Sequence, residues 1–141
     1  MGLLGALVST NQPAAVSNLV EETTGIRVEV VNPNDPVERE YRALLIKDDE
    51  ARAEIDKWIR DAHAFEEQGA GSPHATLNLK IEQKLDEVKK AYEDFIERHP
   101  KHARVRLAYG SFLNDNRDEL GAKVQWEKAR ELDPGNPAVW N

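Results

Sequence analysis

The chain has 141 residues, 40% of them hydrophobic and 32% charged, with no cysteine and a formal net charge of −7. That length suits one domain or a short array of small units. The missing cysteines exclude a disulfide framework and thiolate chemistry, and no apolar run approaches the roughly 20 residues that span a bilayer. The segment from Glu21 to Glu67 holds 14 acids against 7 bases and so carries the whole charge excess. An acidic balance argues against nucleic-acid phosphates, which call for a basic face. It is compatible with steering a basic partner, although a solvated surface explains it as well. The composition fits the cytoplasm and the periplasm alike; the cytoplasm is the expectation, with the periplasm or secretion open if a signal peptide has been removed.

Residues 1–34 read as an N-terminal arm. Leu3 to Val8 is apolar but lacks a basic flank and is too short for a secretory signal. Gly2 does not begin a myristoylation motif, because Ala6 stands where Ser or Thr is wanted. Pro13 to Glu22 forms a short predicted helix with Ala14, Ala15, Val16, Leu19 and Val20 on its apolar side. Ile26 to Val30 then alternates apolar and polar, which predicts an extended segment near 26–31. One strand cannot pair with itself, so this is an arm, half of a minor hairpin, or an edge used in an oligomer.

Residues 35–68 form a second, helical element. Asp35 suits an N-cap, Pro36 the first turn and Glu38 the reach-back position of a capping box. Val37, Tyr41, Leu44 and Leu45 fall on one face. A second cap pattern starts at Lys47-Asp48-Asp49, so the run is one bent helix or a hairpin. Ala51, Ile55, Trp58, Ile59, Ala62 and Phe65 continue at helical spacing to about Glu67.

Residues 69–141 carry the strongest pattern. Gly69, Gly71 and Pro73 mark a loop. Ser72 caps a long helix whose stripe is Leu77, Ile81, Leu85, Val88, Tyr92, Phe95 and Ile96, ending at Arg98-His99-Pro100. Ala103 to Asn114 places Val105, Ala108, Tyr109, Phe112 and Leu113 on one face. Gly110 interrupts that helix at a cost of about 1 kcal/mol, so the close approach of a neighbouring helix is expected there. Asn114-Asp115-Asn116 is a turn, and a second helix runs to about Leu132 with Leu120, Ala122, Trp126, Ala129 and Leu132 facing inward. Pro134 and Gly135 stop it.

Helix, short turn, helix and stop fill about 34 residues, the period of the tetratricopeptide repeat. From about 103 to 136 the chain resembles that family. Gly110, Ala122, Trp126, Ala129 and Pro134 fall at the family's small, aromatic and proline positions, and Trp140 falls where the next repeat's tryptophan is expected. Upstream, Val88, Tyr92, Phe95 and Pro100 resemble the second helix of a degenerate repeat. The departures are Arg106 at the first tryptophan, Tyr109 for leucine, Leu113 for tyrosine, and Gly121 inside the second helix.

The resemblance implies an all-α fold of helical hairpins stacked as a short tetratricopeptide-like α-solenoid, with 35–68 as its N-terminal cap. Its end at Asn141, just inside another repeat, fits a stretch of a longer array. The implied function is binding a partner protein's peptide or helix in a concave groove. Groove-facing positions are then Arg104, Leu107, Ser111, Asn114 and Asp115. Leu107 and Ser111 stand where chaperone-binding members carry lysine and asparagine, so acidic chaperone tails are not the expected ligand. Self-assembly through Ala138, Val139 and Trp140 or through the extended segment is the alternative.

No catalysis, metal or cofactor is expected. His99 and His102 lie close together at a helix end, where cationic groups are ordinary. Asn114, Asn116 and Asp118 alternate like a calcium loop but lack its glycine and terminal glutamate. There is no nucleophile beside a base and no Gly-rich phosphate loop.

Overall fold

The computed structural model describes residues 31–69 and 74–140. Residues 1–30 of the arm predicted at 1–34, including its short helix and nearly all of its extended segment, lie outside them. Contacts divide the chain between Asn32 and Pro33, and every helix described belongs to the second unit, Pro33–Asn141. These are α1 (Pro36–Glu67), α2 (His74–Arg98), α3 (Ala103–Asp115) and α4 (Glu119–Leu132), followed by a 3-10 turn at Pro137–Trp140. The described residues contain helices and no strand, and no helix among them is long and apolar enough to cross a membrane.

α1 starts as its sequence dictates: the Asp35 carboxylate accepts from the Val37 N–H at 2.7 Å, and Pro36 opens the first turn. It then runs unbroken for 32 residues. The cap pattern at Lys47-Asp48-Asp49 does not interrupt it. Asp48 turns inward instead, into the same stripe as Tyr41, Leu44 and Ala51, and is buried.

Pairings along α1 and α2 fix their direction. Glu40 meets Arg98 and His99, Asp48 meets Tyr92, and Glu54 meets Lys84. The two helices are therefore antiparallel. α3 returns against both, antiparallel to α2 through Tyr92–Tyr109 and Phe95–His102, and parallel to α1 through Glu38–Arg104 and Arg52–Asp115. The core is aromatic where the three helices meet: Tyr41, Tyr92, Phe95, Tyr109 and Phe112 are all buried. Tyr92 stacks on Tyr109 with centroids 5.1 Å apart, and Phe95 and Tyr41 each lie about 5 Å from the His102 ring (5.2 and 4.8 Å). His102 also caps α3, its Nδ1 accepting from the Val105 N–H at 3.0 Å.

α3 and α4 form the second hairpin. Its turn satisfies the end of α3 with a pair of bonds, Asp118 N–H to the Leu113 carbonyl and Arg117 N–H to that of Asn114. This closure puts Arg117 at φ 66°, the left-handed position usually given to glycine. Asp118 then caps α4 by accepting from the Gly121 N–H. Ala122 and Ala129 face inward and are fully buried. Leu120 does not: it is 81% exposed, and Leu132 is 38% exposed. Helical phase decides this for Leu120, because Ala122 and Ala129 set the buried meridian and Leu120 lies nearly opposite.

Structural jobs recur at the expected period of about 34 residues. Pro100 and Pro134 each follow a helix end; His102 and Asn136 each cap the next turn. Val105 and Val139 are buried just after those caps. Twice that period relates α1 to α3, where Val37, Tyr41, Leu44 and Leu45 correspond to Val105, Tyr109, Phe112 and Leu113, all buried or packed on the core.

Gly110 meets its expectation. A Cβ there would lie 2.3 Å from Nε1 of Trp126. Gly110→Ala is expected to lower stability by about 1–3 kcal/mol in chemical denaturation, by overpacking. Adding Trp126→Leu should recover part of that loss. An unchanged midpoint for the single variant would remove the role assigned to this glycine.

Candidate functional site

The elements bring the expected groove positions onto α3, but two of them are engaged within the fold. Arg104 grips Glu38 of α1 with both guanidinium ends, Nη1 at 2.8 Å and Nη2 at 3.4 Å. Its guanidinium also lies 4.8 Å from the Tyr41 ring, whose hydroxyl donates to the Arg104 carbonyl. Asp115 is bound at 2.7 Å by Arg52 of α1. Leu107 is half-buried, while Ser111 and Asn114 are exposed. The Ser111 hydroxyl donates to the Leu107 carbonyl within its own helix. Leu107, Ser111 and Asn114 therefore remain as the outward stripe of α3, flanked by ion pairs that tie each end of the helix to α1.

The packing positions are also placed. Ala122 and Ala129 are buried, and half-buried Trp126 lies over Gly110. Pro134 is exposed and its carbonyl accepts from Nε1 of Trp140 at 3.0 Å. Trp140 is 61% exposed beneath the Arg130 guanidinium, at 4.6 Å. Of the apolar tip formed by Ala138, Val139 and Trp140, Val139 is buried against α4 and the other two are exposed.

Sequence spacing assigns Glu38 a capping-box role and Asp48 a place in a second cap pattern, and does not anticipate that both acids are buried. Glu38 is 6% and Asp48 5% exposed. The Tyr92 hydroxyl donates to Asp48 at 2.6 Å and Arg52 Nε donates to its other oxygen at 2.9 Å. Arg52 then spans to Asp115, so one relay joins α2, α1 and α3. Its charge is held by these acids: the Asp48 hydrogen bond leads in raising the Arg52 pKa. The signal was present in the spacing. Asp48 sits at helical intervals from Tyr41, Leu44 and Ala51, and an acid in an apolar stripe calls for a buried partner.

His99 and His102 do different work rather than sharing a site. His99 Nε2 lies 2.9 Å from Glu40, which also meets Arg98, whereas His102 is the α3 cap. Among the described residues no group of three His, Cys, Asp or Glu is placed to hold a metal ion.

Compared with known protein families, curated proteins and solved structures, the chain matches none.

Burial, and then donation to a carboxylate, pushes the Tyr92 phenol above its ordinary value; the same two causes raise Tyr109, which donates to Glu93 at 2.9 Å. The folded state thus keeps both protons where an unfolded chain loses them, near pH 10. Their stabilisation is complete below that pH and is lost as the pH rises past it. The unfolding midpoint should therefore fall above about pH 10, with phenolate absorbance from these two rings appearing only as the chain unfolds. Tyr92→Phe with Tyr109→Phe should flatten that fall. An unaltered alkaline profile in the double variant would rule out this origin.

Proposed function

We propose that this chain is a non-catalytic protein-binding module. Its hairpins stack in tetratricopeptide fashion as a short α-solenoid, and the face formed by parallel helices α1 and α3 receives a peptide or helix of a partner protein. One observation carries this reading: residues one or two repeat periods apart do the same structural work. Buried Val105 and Val139 follow caps at His102 and Asn136, and Tyr41, Leu44 and Leu45 reappear as Tyr109, Phe112 and Leu113. Parallel first helices of stacked hairpins form a continuous ridge pair on one side, which is how such arrays hold extended or helical ligands.

Arg104 is not the residue with which to test this face. Reversing its charge would leave buried Glu38 opposite a like charge, at a cost of about 3–5 kcal/mol, and would report on folding. Ser111 is exposed in the middle of the stripe and bonds only within its own helix turn. A photo-crosslinking amino acid at Ser111 is expected to capture a defined partner in cells of the source organism. The same group at Lys90, exposed on the back of α2, should not. Equal capture from both positions, or none from Ser111, would count against the face.

Self-assembly is the second reading, favoured by Leu120 and Val124. They lie one turn apart on α4 and are 81% and 51% exposed. Sedimentation equilibrium at high micromolar concentration separates the two. A dimer lost in Leu120→Lys supports self-assembly, and a monomer throughout removes it.

A further inference from the structure

Arg106 stands apart from the other arginines of the core. Arg52 and Arg104 each reach a carboxylate, as do Arg42 of α1 and Arg98 of α2. Arg106 reaches an uncharged amide, Oε1 of Gln125, through Nη1 at 2.9 Å. Its Nε is buried and makes no hydrogen bond. Burial alone lowers its pKa, with no acid offsetting the loss of water. A guanidinium in this condition costs the fold free energy, and an apolar side chain of similar size would be neutral or better.

Its position has a counterpart that is paired. Twice the repeat period separates Arg106 from Glu38, just as it separates Tyr109 from Tyr41. On α1, the Glu38 position faces the next helix, α3, which supplies Arg104 to the buried carboxylate. On α3, the same position faces away from α1 and holds a cation. The chain's own 3-10 turn covers part of that side: Val139 is buried, and its carbonyl accepts from Arg130 of α4. Arg106 meets α4 at Gln125, more than a turn away from Arg130.

The geometry points to the side of the α3–α4 hairpin at Arg106 and Gln125 as a second docking surface, taken by a helix of a partner protein that brings a glutamate or aspartate to the Arg106 guanidinium. The contact mirrors the one between α1 and α3 with its charges exchanged. Charge complementarity selects the ligand: the site presents a partly buried cation beside a carboxamide, and among the described residues no acid offsets its burial. A neutral helix would leave the guanidinium charge without a counter-ion, and a basic one would be repelled by it. The surface is distinct from the Leu107–Ser111–Asn114 stripe, which lies roughly 80–140° around α3 from Arg106 by helical spacing.

Two measurements on the full chain test this. Arg106→Met keeps the side-chain length without the charge. Its melting temperature is expected to be unchanged or raised by a few degrees, because the arginine is not retained for folding. The probe is an alanine-based helical peptide with one central glutamate flanked by leucines one turn away, and its glutamine twin. In the 15N-labelled chain the Arg106 Nε–H resonance, assigned by its loss in Arg106→Met, is expected to shift saturably with the glutamate peptide and not with the glutamine twin. A melting temperature lowered by Arg106→Met would make the arginine structural and overturn the proposal. So would a resonance that stays still, or one that moves equally with both peptides.

Discussion

The arrangement of the three long-range helix contacts depends on one buried carboxylate. Asp48 lies in the middle of α1, 5% exposed, with a phenol from α2 on one oxygen and Arg52 on the other. A lone carboxylate in this place would cost several kcal/mol of lost hydration. The structure meets that cost with two donors and then uses the second donor again, since Arg52 continues to Asp115 at the end of α3. Apolar contacts alone would let α1 slide along its neighbours, because aliphatic ridges accept several registers. A short charge-assisted bond has one good length and direction. Asp48 therefore sets the axial register of α1 against α2, and through Arg52 that of α1 against α3.

Glu38 repeats the device one helical span earlier. It takes both ends of the Arg104 guanidinium, and Arg42 approaches it from its own helix at 3.5 Å. The two buried acids bracket α3: one ion pair sits at its first turn and the other at its last. Between them the aromatic rings do the packing, Tyr92 stacked on Tyr109 and tilted against Phe112 at 5.5 Å. Polar contacts thus fix where α3 lies, and aromatic burial supplies most of the free energy that holds it there. The outward stripe of Leu107, Ser111 and Asn114 is a consequence of this clamping. Its side chains stay available because the residues on either side are already committed.

Much of the helical layout was legible in the sequence. Asp35-Pro36 marked the start of α1, and the glycine at 110 announced a close approach that Trp126 makes. The inward stripe of α2 was read residue by residue, and its three most buried members are Val88, Tyr92 and Phe95. Two kinds of information were not legible. A cap pattern and a buried acid look alike in one dimension: Lys47-Asp48-Asp49 reads as a helix start, and only the phenol of Tyr92, 44 residues away, shows it to be helix interior. Local propensity cannot see such a partner. The candidate site suffered in the same way. Arg104 and Asp115 belong by spacing to an outward face, yet each is claimed by a side chain more than 60 residues earlier (separations of 66 and 63). Leu120 was misplaced for a simpler reason, since an apolar residue in the first turn of a helix was assigned to the core when its meridian points away.

The hidden relation between α1 and α3 has a geometric cause. α1 and α2 run for 32 and 25 residues, whereas α3 and α4 run for 13 and 14. The first hairpin is therefore longer than the second in both arms, and the extra length of the two arms together is close to one repeat period. Residues of α1 correspond to those of α3 at twice that spacing, and the loop and the start of α2 lie one such spacing before α3. The added arms carry Ile55, Trp58 and Ala62 against Leu77 and Ile81, a two-helix extension without α3 to cover it, and these residues are only half-buried. Lys80 packs over Trp58 at 3.9 Å, and Lys84 bridges Glu54 and Glu87. Long charged side chains thus cover the apolar seam that a third helix covers elsewhere. The hydrophobic stripe of α1 stays packed as far as Ala62, with Ile59 and Phe65 exposed, and its partner changes halfway, from two helices to one. The side chains change with it, from buried tyrosine and aspartate to half-buried tryptophan under lysine.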